Sequence, residues 1–396
     1  MNELSKRLDL IKPSATLTIN AKATQLTAQG HKIINFSVGE PNIDTPPNVK
    51  AAAIEAIHSG ITKYTPSKGT SELRNAISNK LLEENNLNYS PEDHIIVTSG
   101  AKQAIYVALQ AMLNVGDEVI IPVPYWTSYP ELVKINDGTP VLCQTQKEDG
   151  YKMKPDDLQA LITPNTRCVI LNSPNNPTGM VYSAAELEKL SEIILAHPRL
   201  YIISDDIYEH IIWSEEPFSN IVNVCPELKE RTIVINGLSK GYSMTGWRVG
   251  YAAACSEIIK AMQKLISQST TCVNSIAQVA ATEALSGDTS FMLDMNRRYR
   301  ERSELVYEEM SSISGVDIVP SEGTFYTFPC VQTIIDNLSI ESDIALCELL
   351  LEHAGVATVP GSAFGQPGHI RLSFANSKST LREGIEKIKQ VFENSA

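Results

Sequence analysis

The sequence predicts an α/β protein: a large domain with a mostly parallel sheet flanked by helices, joined to a smaller α+β domain. Two patterns carry that prediction. Between Ile95 and Ala254, apolar β-branched runs alternate with helix-forming stretches, which calls for parallel strands, right-handed crossovers and helices on both faces. Near Ser286 to Asp288 the pattern gives way to a long charged helix and then to short strands mixed with helices. A chain of 396 residues, 43% hydrophobic and 20% charged, has the length and apolar content for both units. The expected division is 1–47 as an N-terminal arm and part of the small domain, 48–287 as the large domain, and 288–396 as the C-terminal small domain.

In chain order, Leu10 to Gly30 reads as an arm and a helix, with Pro13-Ser14 as its start and Gly30 as its stop. Ile33 to Val38 is a short strand running into a Gly/Pro-rich loop, Gly39 to Pro47, where Gly39 lets the backbone approach a ligand. Helices follow at Asn48 to Ser59 and Ser71 to Glu84, separated by a polar loop holding Tyr64 and Lys68. Strands are expected at His94 to Thr98, Asp117 to Val123, Cys168 to Asn172, Leu200 to Ser204, Thr232 to Ile235 and Val249 to Ala254. Helices are expected from Ala101 through Leu113 and at Ala184 to Ala196. In the second unit, Ser290 to Ser312 is a helix whose arginines form a solvated face. Strands are expected around Val316 to Val319, Thr324 to Phe328 and His369 to Phe374, with helices near Ser342 to Ala354 and Leu381 to Asn394.

Composition excludes several classes. A net charge of −13 opposes nucleic acid or an anionic membrane as partner, because the average field repels both. Seven cysteines without a C-x-x-C pair read as reduced core residues, neither a disulfide framework nor a zinc site. The N-terminus has no signal-peptide segment and no apolar run approaches the length of a membrane span, so the cytoplasm is the expected location. The seven histidines show no metal-ligand spacing, and Glu209-His210 reads as structural, so no metal is expected.

The chemistry centres on Asn236-Gly-Leu-Ser239-Lys240-Gly-Tyr-Ser-Met-Thr-Gly-Trp-Arg248-Val-Gly250, a loop between two strands. A lysine amine attacks a carbonyl when its surroundings make the neutral form accessible. Ser239, Arg248 and the loop amides offer one phosphate its donors, Arg through a planar fork. Taken alone, Lys240 also reads as an ordinary surface lysine. The turn Ser99-Gly100-Ala101-Lys102, between a strand and a helix, makes an anion site from unpaired amides and the helix dipole. Trp126, in Pro124-Tyr125-Trp126-Thr127-Ser128-Tyr129-Pro130, reads either as part of a small aromatic core or as a ring stacked on a flat heterocycle. Asn176 lies in the rigid loop Ser173 to Gly179, fixed by two prolines. Asp205 closes a strand where open α/β sheets bind ligands. Arg371 stands on an alternating strand and needs an anion, supplied by a substrate carboxylate or by an interdomain salt bridge.

With these motifs, Ser-Lys-x5-Gly-Trp-Arg-x-Gly above all, the chain resembles the fold type I pyridoxal-phosphate-dependent aminotransferases, within them the bacterial aspartate aminotransferase subgroup, from about Lys12 to the C-terminal region. The resemblance implies a seven-stranded large sheet, pyridoxal 5′-phosphate as cofactor, and Lys240 as the lysine that links to it and shuttles the substrate's α-proton. It also implies that Gly100, Ala101, Lys102, Ser239 and Arg248 hold the phosphate, Trp126 stacks on the ring and Asn176 donates to its phenolic oxygen. Asp205, with Tyr208 nearby, keeps the ring nitrogen protonated, and Asp206 points elsewhere. Gly39, Trp126, Asn176 and Arg371 contact substrate, Arg371 as the α-carboxylate clamp. Tyr64 reaches the partner's phosphate across a homodimer. The implied reaction converts L-aspartate and 2-oxoglutarate to oxaloacetate and L-glutamate, with aromatic amino acids or prephenate second, and Lys12, Lys68 and Lys102 as candidates for the side-chain carboxylate. The rivals are a lyase or decarboxylase using the same lysine, a cofactor-sensing regulator, for which a DNA-binding extension is missing, and a dehydrogenase, for which G-x-G-x-x-G is missing.

Overall fold

The computed structural model of the chain describes residues 4–393. Its centre is a seven-stranded sheet in the spatial order Ile95–Thr98, Gly250–Ala253, Thr232–Gly237, Tyr201–Asp205, Thr166–Asn172, Glu118–Val123, Thr139–Gln144. The five strands from Thr232–Gly237 to Thr139–Gln144 pair in parallel, and Gly250–Ala253 runs antiparallel to both its neighbours. Alternate side chains feed opposite cores: Val97, Ile120, Val169, Ile202 and Val234 join one cluster, Ile96, Ile121, Ile170, Ile203 and Ile235 the other. A sheet buried on both faces needs apolar residues at every position, which is why these strands read as unbroken runs. The helices Ala101–Met112 and Ser256–Ser269 cover one face, while Ser71–Asn85, Ala184–Ala196 and Phe291–Ser311 contribute to the other cluster.

The expected edge of this pattern was its weak point. The strand Thr139–Gln144 is absent from the sequence reading, because as an edge strand it is only partly covered and alternates rather than running apolar. The helices Tyr129–Ile135, Pro155–Leu161, Ser256–Ser269 and Ser275–Ser286 are likewise additions. In the C-terminal third, Val316 to Val319 is not a strand; its only ladder contact is a single bridge between Asp317 and Cys330. The other two expected strands pair as Tyr326–Thr327 and Ile370–Ser373, which form a three-stranded antiparallel sheet with Val359–Pro360. Ile34–Asn35 pairs in parallel with Val356–Ala357, and Ala23 of the helix Ala15–Ala28 packs on Leu351 and Ala357, so the N-terminal segment joins the C-terminal third. The helix Lys378–Glu393 ends the described chain, and Asn394, included in the expected helix, lies outside the described residues. Among the described residues no helix is long and apolar enough to cross a membrane.

Candidate active site

A cleft of about 450 Å³ opens at the carboxyl ends of the parallel strands, roofed by residues of the helix Ala15–Ala28 and by the loop around Gly39. Each strand delivers its chemistry at its last residue or in the loop just beyond, because there the backbone leaves the ladder and side chains face open space.

Lys240 lies three residues past Thr232–Gly237. Its loop is closed by backbone bonds from Leu238 N to Val249 O at 3.1 Å and from Met244 N to Leu238 O at 3.2 Å, so the lysine springs from a fixed base. Its Nζ donates to the Gly39 carbonyl at 2.5 Å and lies 5.6 Å and 5.7 Å from the Phe325 and Tyr208 ring centres. Burial first, then the Arg371 guanidinium, pulls the amine down to about 8, so it releases its proton far more readily than a free lysine.

The Gly100 turn and Arg248 form one cradle. Gly100 has φ +86°, and a Cβ there would run into the Arg248 guanidinium, so glycine lets the two close together. The amides of Ala101 and Lys102 begin the helix Ala101–Met112 and face the region where the dipole favours an anion. Arg248 itself sits at φ +56° and spends its donors on carbonyls, Thr245 O at 2.8 Å and Ser99 O at 3.4 Å. Lys102 stands 4.9 Å over the Trp126 ring, and buried Ser239 lines the same end of the cleft. Cations and amide donors converge here, an arrangement that suits an anion.

Asp205 is 3% exposed at the end of its strand. One carboxylate oxygen accepts from the Tyr129 hydroxyl at 2.6 Å; the other has only the Ile207 amide at 3.4 Å. Burial raises its carboxyl to about 6, against the opposing pull of Tyr129, Ile207 and Lys240. Asp206 turns away, accepting from Ser204 at 2.7 Å and Asn220 at 2.5 Å. The Tyr208 hydroxyl meets that of Tyr326 at 3.1 Å.

Arg371 is 2% exposed. It donates to Asn176 Oδ1 at 3.0 Å and the Ser37 carbonyl at 2.7 Å, and its cation lies 4.3 Å and 5.0 Å from the Tyr326 and Phe364 rings. Its Nε is buried without a partner. Gly39 lets this wall close, since a Cβ there would meet the Tyr326 hydroxyl. A buried guanidinium without a carboxylate is costly unless a ligand brings one. Among the described residues, Lys102, Lys240, Arg248 and Arg371 form no ion pair.

The remaining candidates divide. Tyr64 is 88% exposed and lines no part of this cleft. Lys12 is also exposed, tied by its backbone amide to Glu131 at 2.8 Å, two residues before the cleft-lining Ser14. Lys68 turns away: its ammonium reaches the Glu92 carbonyl at 2.5 Å and the Glu92 carboxylate at 3.6 Å, which removes it as a substrate contact in this chain. Glu84, Glu209 and His210 bring ligand atoms within 4.8 Å of one another, yet the Lys80 ammonium already sits against Glu209. Sequence reasoning missed Tyr326 and Asn172, whose positions carry no motif, and left Tyr129 as one aromatic among three.

The family model for class I and II aminotransferases matches residues 31–388. The aspartate/prephenate aminotransferase of Nitrosomonas europaea is 48% identical over 392 residues, covering 98% of each chain. The aspartate aminotransferase of Geobacillus stearothermophilus is 44% identical, covering 99% of each. The crystal structure of the aspartate aminotransferase from Rhizobium meliloti superposes with a TM-score of 0.95 at 43% identity, over 99% of both chains.

Proposed function

The chain belongs to the class I and II aminotransferases, enzymes that move an amino group between an amino acid and a 2-oxo acid, and from that premise we propose that it uses pyridoxal 5′-phosphate on Lys240, with L-aspartate and 2-oxoglutarate as first substrates. The observation that carries this is the set of unmatched groups in one cleft: an amine near pKa 8, an anion cradle, a buried carboxylate with one oxygen held only by a long amide contact and a buried guanidinium without an anion.

Each group fits one part of the cofactor or substrate. Gly100, Ala101, Lys102, Ser239 and Arg248 would hold the phosphate, and Trp126 the ring face. Asp205 would keep the ring nitrogen protonated, beside Tyr208, and Asn176 would reach the phenolic oxygen. When bound, the cofactor supplies an electron sink for the electrons of the substrate's Cα–H bond. Arg371 takes the α-carboxylate through its fork and turns the α-carbon toward Lys240. The Lys240 amine, desolvated and beside Arg371, removes the α-proton and holds it inside the cleft, from which closure by the Gly39 loop excludes water.

The side-chain carboxylate needs a further cation. Lys102 lines the cleft but flanks the cradle, and Lys12 leads directly into the cleft roof, so Lys12 is the better reading. A second substrate, prephenate, is supported by the name of the Nitrosomonas europaea relative. A panel of aspartate, phenylalanine and tyrosine as amino donors, with 2-oxoglutarate and prephenate as oxo-acid acceptors, decides. Aspartate should lead with 2-oxoglutarate, Lys12→Ala should weaken only dicarboxylic substrates, and borohydride should fix the pyridoxyl group on Lys240. Aspartate ranking below phenylalanine, or the label on another lysine, would sink the corresponding assignment.

We further infer a cytoplasmic homodimer in which Tyr64, exposed in its own chain, completes the partner's phosphate seat. Mixed Tyr64→Phe and Lys240→Ala variants should regain activity through hybrid dimers holding one intact site. No regain after demonstrated subunit exchange speaks against action in trans.

A further inference from the structure

Tyr129 is 2% exposed and begins the helix Tyr129–Ile135, its amide bonded to the Trp126 carbonyl at 2.9 Å. Its ring meets Trp126 edge to face, centres 5.3 Å apart at 84°, which fixes the direction of its hydroxyl. That hydroxyl donates at 2.6 Å to one oxygen of Asp205, a residue 76 positions away on another strand. We propose that Tyr129 is a positioning residue for Asp205, holding one carboxylate oxygen so that the acid stays ionised and presents the other oxygen to the cleft.

The charge balance around Asp205 shows why a donor is needed. Burial pushes its carboxyl up to about 6, and what opposes burial is the Tyr129 hydroxyl, the Ile207 amide and the Lys240 charge. Asp206 and Tyr208 lie on the same turn, but Asp206, pushed up to about 8, is still neutral where Asp205 titrates, so no counter-charge comes from there. Lys240 is an unreliable counter-ion, because its own amine gives up its proton from about pH 8 upward. Tyr129 is a steady one: burial and Asp205 hold its phenol well above the usual range, so it remains a donor throughout the working pH. Without the hydroxyl the same oxygen would be buried with no partner, and the neutral acid would be favoured. A protonated Asp205 offers no anion to a ring nitrogen.

This rests on the reading of Asp205 as the ring-nitrogen partner, so the decisive measurement is made on the full-length chain freed of cofactor, with the loaded enzyme run in parallel. The infrared band of the protonated Asp205 carboxyl, identified by its loss in Asp205→Asn, is followed against pH. Tyr129→Phe should raise the proton affinity of Asp205 about tenfold or more, the effect of losing a hydrogen bond to a charged group. Site-specific 3-fluorotyrosine at position 129, a stronger donor of nearly the same shape, should lower it. In the loaded enzyme Tyr129→Phe should reduce kcat more than it raises KM for the amino donor. If Tyr129→Phe does not fold, the fluorotyrosine variant alone decides. A midpoint unmoved in every folded variant overturns the proposal. A midpoint that moves while the pyridoxyl label maps elsewhere leaves it standing and removes the cofactor assignment instead.

Discussion

Two buried groups of charge lie within a few residues of each other in this chain, and they are solved in opposite ways. In the first, the Lys80 side chain is 1% exposed and sits against Glu209, 4% exposed, with Glu84 at 3.5 Å and the Asn85 amide oxygen at 2.7 Å. Glu209 also accepts from Asn85 and Asn236, each at 2.6 Å. Burial pushes the Glu209 carboxyl up, but Lys80 and His210 outweigh it and hold it below the usual range. In the second group, four residues earlier in sequence, Asp205 is raised to about 6 and faces a lysine and an arginine that have only neutral acceptors. Burial is common to both. What separates structure from chemistry is whether the protein itself supplies the counter-charge.

The comparison breaks most readily at Lys80. Lys80→Met strands the Glu209 carboxylate in the interior, which should cost about 3 to 5 kcal/mol of folding stability. Urea unfolding of the full-length chain measures it, and Lys80→Met/Glu209→Leu, which leaves no charge behind, should recover much of the loss. The folded single variant should keep its KM for amino donors. A loss below about 1 kcal/mol would mean that the pair is no more than an exposed salt bridge in effect.

Arg371 should behave in the reverse sense. Arg371→Ala removes a charge that the protein leaves unpaired, so folding stability should hold or rise while catalysis suffers. Loss of a charged contact to a desolvated carboxylate costs about 2 to 5 kcal/mol, or roughly thirtyfold to several thousandfold in kcat/KM, for every amino acid alike. Equal damage to stability and catalysis would place Arg371 with Lys80 as a structural ion.

Which of these groups the sequence discloses depends on how far its partners lie along the chain. The parallel strands were legible because burial on both faces demands unbroken apolar runs, and the edge strand Thr139–Gln144 was not because half its surface is open. Lys240 and Arg248 were legible as one local motif. From its own residues Arg371 was legible as a charge on a strand in need of an anion, and as the α-carboxylate clamp only through the resemblance; its partners Asn176 and Ser37 are 195 and 334 positions away. Lys68 misled for the same reason, since its loop gives no hint that Glu92, 24 positions on, would take its ammonium. Tyr129 looked like packing until Asp205 was placed under its hydroxyl.

The smallest effect tests the unpaired group through its proton. In the cofactor-free protein the Lys240 amine titrates at about 8, against an ordinary value of 10.5. Between those limits the unfolded chain still binds the proton that the folded chain has released, so the unfolding free energy must rise with pH. Below the window both states are protonated, and the folded state bears the full cost of a buried ammonium; above it both are neutral and that cost is gone. The gain across the window is about 3 kcal/mol. Asp205 and Asp206, raised to about 6 and about 8, have the opposite slope, losing stability as pH climbs toward those values. Asp206 is present in Lys240→Met as well, and Asp205 titrates below both pH values used, so the difference between wild type and variant reports the lysine. Urea unfolding of both proteins at about pH 7.5 and about pH 10.5 should show wild type gaining on the variant at the higher pH. A difference that stays flat would mean that the Lys240 amine is solvated like any surface lysine, and the contrast with the paired Lys80 cluster would lose its electrostatic basis.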